Sequence, residues 1–176
     1  INEIVAHCAS DSIFFCKHFF PKTFRQEAAP FHPDLWSILD DPSARYVNVV
    51  IGRDGAKTTI LRAFTAKRIA FGISRTILYI GASQDKAKQS VGWLKNQVAY
   101  NKAFTRVFGL QPGKPYTNEH CVIKHGAEGH EIHVLAQPGL FLRRSVSRDR
   151  KIPVARGLER LAIEPTGPAA DQHPAG

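Results

Sequence analysis

The residues best placed to do chemistry form one run, Gly52, Arg53, Asp54, Gly55, Ala56, Lys57, Thr58 and Thr59, directly after an apolar stretch. A turn of small residues that leads into a helix presents backbone N–H groups to an anion, and the helix dipole favours negative charge at the same point. Lys57 supplies a mobile cation for terminal phosphates, and the hydroxyl of Thr58 is a ligand for Mg2+. The general pattern G-x-x-x-x-G-K-[ST] places glycine where this chain has Ile51 and Ala56. Two readings stand side by side: a phosphate loop, or Lys57 as a solvated residue in the first turn of an ordinary helix.

Such a loop needs a strand before it and a helix after it. Tyr46–Ile51 is a short, β-branched, nearly continuous apolar run, which predicts a strand buried on both faces of a parallel sheet. Lys57 to about Phe71 reads as a helix with Ile60, Leu61, Phe64 and Phe71 near one side, stopped by Gly72. Thr76–Ile80 predicts a second buried strand. Ser83 can cap a helix whose apolar positions are Ala87, Val91, Leu94 and Val98. Asn101 to Gly109 continues as a short helix or turn. The Pro- and Gly-containing stretch Gln111–Asn118 reads as a loop. Cys121–His125 and His130–Ala136 read as two strands joined by the turn Gly126–Gly129.

Upstream, residues 1–30 are rich in phenylalanine around Pro21 and predict one or two short helices. Pro33 suits the first turn of a helix that puts Leu35, Trp36 and Leu39 on one face, and Asp40–Ser43 breaks it. Strand, crossover helix and strand again predict a right-handed βαβ unit. The expected class is α/β: a P-loop NTPase-like parallel sheet flanked by helices, incomplete, with a poorly ordered tail. The expected divisions are an N-terminal helical segment (1–45), a partial P-loop domain (46–136) and a basic Pro/Arg-rich tail (137–176).

Composition bounds the function. The 176 residues are 43% hydrophobic and 22% charged, normal for a packed domain and unlike disorder, collagen or a pure coiled coil. No apolar run approaches a membrane span, and Ile13–Phe20 is interrupted by Lys17 and His18. Neither signal peptide nor membrane anchor is expected. The net charge of +9 and pI near 9.7 favour a polyanionic partner, with a merely soluble basic surface as the alternative. Cys8, Cys16 and Cys121 show no CxxC spacing, which suits free thiols in a reducing compartment. The absence of Met, even at position 1, predicts a piece of a longer chain.

The segment Arg53-Asp54-Gly55-Ala56-Lys57-Thr58-Thr59 resembles the variant Walker A of terminase large subunits, the ATP-driven motors that package tailed-bacteriophage DNA. That family carries an arginine inside the loop and often alanine before the lysine. Phe31-His32-Pro33-Asp34-Leu35-Trp36 is similar to its upstream aromatic-His segment. Ile77–Ser83 with Ala87, and Asn101 through Phe108-Gly109, resemble its next strand, helix and "FG" ending. The likeness covers roughly residues 10–136 in the same order.

The resemblance implies an ATP and Mg2+ site. Lys57 would contact the β- and γ-phosphates, Arg53 would stabilise the γ-phosphate, and Thr58 would hold Mg2+. Gly52, Arg53, Asp54, Gly55, Ala56, Lys57, Thr58 and Thr59 would cradle the nucleotide, with Phe31 to Trp36 on the adenine side. Implied partners are double-stranded DNA, a portal and a small terminase subunit, with a ring homo-oligomer only for a full-length chain. The implied location is the host bacterial cytoplasm, without secretion.

The chain also departs from that family. After Ala136 no apolar run ends in paired acids: Asp149 lies between Arg148 and Arg150, and Glu159 and Glu164 are isolated. The nuclease domain that the family carries next is not expected within these residues. The composition changes near Gln137, where five of the 11 prolines begin to gather and periodicity weakens except at Leu158–Ile163. A lost reading frame at that point is the expected cause, and the expected behaviour is nucleotide binding with little or no turnover.

Other clusters have plainer readings beside the functional ones. His120, Cys121, His125, His130 and His133 are metal-ligand types without a zinc spacing, and otherwise ordinary hairpin residues. Trp36 and the early phenylalanines could stack on bases or form core. Arg143–Arg160 could touch DNA or form a random basic tail, and Arg62, Lys67 and Arg68 could meet a polyanion or form a solvated helix face. The competing functions are a basic nucleic-acid-binding module in which Lys57 is coincidental, and a different P-loop enzyme of helicase-like or kinase-like type.

Overall fold

Side-chain caps start three of the six described helices. Asp11 accepts hydrogen bonds from the backbone N–H groups of Ile13 and Phe14, which separates α1 (Asn2–Ser10) from α2 (Ser12–Phe19). Proline in its first turn opens α3 (His32–Asp40), and Leu35, Trp36 and Leu39 are its buried face. Ser83 caps α5 (Gln84–Tyr100), which buries Ala87, Val91, Leu94 and Val98 as its spacing predicts. Asn101 caps α6 (Lys102–Phe108) through Phe104 N–H and donates from its own amide to Phe19 O at 2.6 Å. The computed structural model describes residues 2–52 and 55–139, all within a unit spanning Ile1–Ser145. The basic tail with Arg143–Arg160, Asp149, Glu159 and Glu164, including Leu158–Ile163, lies outside the described residues.

Between α3 and α5, Lys57–Ala70 forms α4, and Gly72 follows it in the left-handed region (φ 63°). The buried side of α4 is Ile60, Ala63, Ala66, Ile69 and Ala70, while Leu61 stays 39% exposed. The seam runs through alanines rather than the larger residues, and small side chains let α2 approach α4 closely. Lys67 corrects the expectation of a solvated face. It is buried on this seam, its ammonium 2.9 Å from Asp40 Oδ2 and donating to Ser12 Oγ. The Ser12 hydroxyl donates in turn to Asp40. One cation thus ties α2, α3 and α4 together.

The described strands are β1 (Thr76–Gly81), β2 (Leu110–Tyr116), β3 (His120–His125) and β4 (His130–Pro138), in sheet order β1-β4-β3-β2. The class is α/β as expected, but the sheet is mixed rather than parallel. Only β1 and β4 run parallel; β4, β3 and β2 form an antiparallel meander. The turns at 117–119 and 126–129 are too short for the crossover that parallel neighbours need. Strand β2 replaces the loop expected at Gln111–Asn118. It is an edge strand with irregular register between Pro112 and Tyr116, which is where a sheet tolerates proline.

The largest correction concerns Tyr46–Ile51, which joins no sheet among the described residues. Tyr46 is 97% and Val50 86% exposed, whereas Val49 and Ile51 pack partly against the core. The alternation of a strand is present without a neighbour to complete its ladder. Strand β1 is likewise an edge rather than a doubly buried strand: Ile77 and Tyr79 face the core, and Leu78 and Ile80 are exposed.

Helix α5 packs across all four strands. Beside it lies an aromatic core in which the ring of Phe15 is 5.4–6.4 Å from those of Phe19, Phe20, Phe71, Phe104 and Phe108. Of the early phenylalanines, Phe15, Phe19 and Phe20 are core, and Phe14 and Phe24 are half-buried.

Candidate functional site

The segment before α4 folds around its own lysine. Lys57 is the first residue of the helix, and its ammonium donates to the carbonyls of Ile51 and Gly52, the latter at 3.2 Å. Ala56 takes the N-cap position in the left-handed region (φ 54°, ψ 18°) with no side-chain cap bond. That conformation suits glycine and costs an alanine roughly 1–2 kcal/mol. Gly55 passes so close to the Ile51 side chain that an added Cβ would collide with it. The local chain therefore demands a Cβ-free residue at position 55 and an unusual backbone at position 56. Thr58 is exposed and Thr59 half-buried. Arg53 and Asp54 lie outside the described residues.

Beside this turn is a cavity of about 370 Å³, within the size range of small-molecule sites. Ala56, Thr59 and Ile60 form its α4 wall, and His32 and Trp36 of α3 form another. The rest comes from α2 and the chain after it, including Phe24 and three cations, Lys17, Lys22 and Arg25, against a single acid, Glu27. Its electrostatics favour an anionic ligand. Cys16 also lines it, and burial pushes that thiol up from its ordinary range, which keeps it protonated.

The expected site residues are partly brought together. Trp36, Ala56 and Thr59 share the cavity, and Gly52 and Lys57 share the hydrogen-bonded turn beside it. Trp36 is 5% exposed and lies 6.4 Å from the Phe64 ring, so it belongs to the core while lining the cavity. Phe31 is not among the lining residues and is 40% exposed. The cations of residues 17–25 were missing from the expected set; a basic stretch beside Pro21 was the available signal, and by itself it marks no ligand.

No match relates this chain to a family model, a curated protein or a solved structure.

Of the hairpin histidines, His120 and His133 meet, and the other two have separate partners. His120 and His133 lie 3.1 Å apart at their ring nitrogens, His125 donates to Ala70 O at 2.8 Å, and His130 pairs with Glu128. Among the described residues no three His, Cys, Asp or Glu side chains gather as a metal site. Cys8, Cys16 and Cys121 are buried and free. No described helix is long and apolar enough to cross a membrane. Arg62 donates to Ser90 Oγ at 3.2 Å, and Arg68 donates to Ser74 Oγ at 2.7 Å while lying over the Phe64 ring. Both are tied down along the helix flank.

Proposed function

We propose that the chain binds a nucleoside triphosphate, its polyphosphate against the turn Gly52–Thr59 and its base toward the α3 wall of the cavity. The observation that carries this reading is the cavity itself, where three cations and an aromatic wall meet the first turn of α4. The left-handed backbone at Ala56 supports it as well, because the phosphate-loop pattern has glycine at that position. On binding, Lys57 exchanges two neutral carbonyl acceptors for anionic phosphate oxygens, so its ammonium gains an ion pair in place of ion–dipole hydrogen bonds.

Within this reading the resemblance to terminase large subunits gives the finer assignment. The ligand is ATP with Mg2+ held by Thr58, Arg53 acts on the γ-phosphate, and the cycle serves packaging of double-stranded DNA with a portal and a small subunit. Strand β4 ends at Pro138 without an acidic pair, so the proposal is for binding with little hydrolysis.

Titration of the full chain with a fluorescent ATP analogue tests this. Lys57→Ala should weaken binding at least tenfold, the expected loss of a charge-assisted contact. Equal binding by wild type and variant would favour the other reading, a basic nucleic-acid-binding module in which Lys57 plays no part. The net charge of +9 is the observation behind that alternative.

A further inference from the structure

Strand alternation turns Cys121, Ile123, Ile132, Val134 and Ala136 toward the core, and so places His120 of β3 and His133 of β4 on the opposite face of the sheet. Val122 pairs with His133 and His120 pairs with Leu135, which makes the two histidines diagonal neighbours across the strands. His120 Nε2 and His133 Nδ1 lie 3.1 Å apart, and the ring planes are inclined by 36°. In the neutral pair one of these facing nitrogens carries the shared proton and the other a lone pair. On its far side His133 has Glu131, whose Oε2 is 3.9 Å from Nε2. The His133 side chain is 41% exposed, so the pair is open to solvent.

We propose that His120 and His133 chelate one divalent transition-metal ion of the Zn2+ class, and that the ion clips β3 to β4 on this face. The separation of the nitrogens carries the argument. Two metal–nitrogen bonds of about 2.1 Å that start 3.1 Å apart meet at roughly 95°, between the octahedral and tetrahedral angles. For both nitrogens to ligate, the shared proton moves to the outer nitrogen of its own ring, which leaves a lone pair on each side of the gap. A small turn of each ring about its broad χ2 well then aims both lone pairs at one point. Glu131 is placed to accept from His133 Nε2–H, the outer-shell contact that fixes a ring ligating through Nδ1. Among the described residues no third His, Cys, Asp or Glu joins the pair, so water completes the coordination. Neutral imidazoles suit Zn2+, Cu2+ and Ni2+ rather than Mg2+, which makes this site independent of the nucleotide reading. An ion that binds the folded pair stabilises the chain by mass action.

Titration of the full chain with ZnCl2 tests this, with MgCl2 as the control. Zn2+ should bind saturably and raise the urea unfolding midpoint, and Mg2+ at the same concentration should leave it in place. The ring nitrogen-15 resonances of His120 Nε2 and His133 Nδ1 should move together with Zn2+, while those of His125 and His130 stay. That readout is taken on the wild type and is independent of how any variant folds. His133→Gln should weaken Zn2+ binding at least about tenfold, since losing even an outer-shell partner costs that much. His130→Gln, at a ring paired with Glu128 instead, should leave the affinity unchanged. Zn2+ binding that survives His133→Gln in full, ring shifts confined to other histidines, an equal response to Mg2+, or no saturable Zn2+ binding each overturns the proposal.

Discussion

The helical layer and the sheet satisfy their sequences to different degrees. Around α2, α4 and α6, six phenylalanines close on one another, and even the awkward residue, Lys67, has both Asp40 and Ser12 within reach. Strand β1 offers two apolar faces and has only one covered: Leu78 is 52% and Ile80 65% exposed, and the apolar run at 46–51 has no ladder among the described residues. A helix meets its backbone hydrogen bonds within its own segment and asks of its neighbours only a stripe of contact. A strand depends on partners at distant positions, so it is the element that stays incomplete when a partner is lacking. The candidate site lies where the two regimes meet, at the start of α4 directly after the unpaired run.

That contrast can be broken by experiment. Truncating the centre of the aromatic core should cost most: Phe15→Ala, at a fully buried position, should lose about 3–5 kcal/mol in urea unfolding. Asp40→Ala leaves the buried Lys67 ammonium without its counter-charge. Because Asp40 is itself one-third exposed, the expected loss is smaller, about 2 kcal/mol by the same measurement. Ala56→Gly should act in the opposite direction and stabilise the chain by about 1 kcal/mol, since it relieves a left-handed backbone at the candidate loop. On the open face of β1, Ile80→Thr should change stability by no more than about 0.5 kcal/mol. A loss of 2 kcal/mol there would mean that Ile80 is covered in solution, and the contrast between layer and sheet would fail.

Much of the helical architecture was legible. Asp11, Ser83 and Asn101 cap helices through their own side chains, and α5 buries the apolar positions that its spacing marks. The burial of Lys67 was legible in principle, because it lies four residues after Ala63 and three before Ala70 on the seam of α4. Its charge argued for solvent, and only Asp40, 27 residues away, reverses that argument. Of the candidate site, the shared cavity wall of Trp36, Ala56 and Thr59 draws on residues that their types had singled out. Lys17, Lys22 and Arg25 were not, since nothing in their spacing connects them to position 56.

By itself the sequence determined where several helices begin and end and that a run of small residues precedes α4, because caps, periodicity and small-residue composition act over a few positions. Tertiary structure alone decided that the described sheet is mixed, that β1 is its edge, and that among the described residues 46–51 has no strand partner and the buried His32 Nε2 has no hydrogen-bond partner. Those outcomes depend on which distant segments meet, and pairing across such distances leaves little trace in local residue patterns.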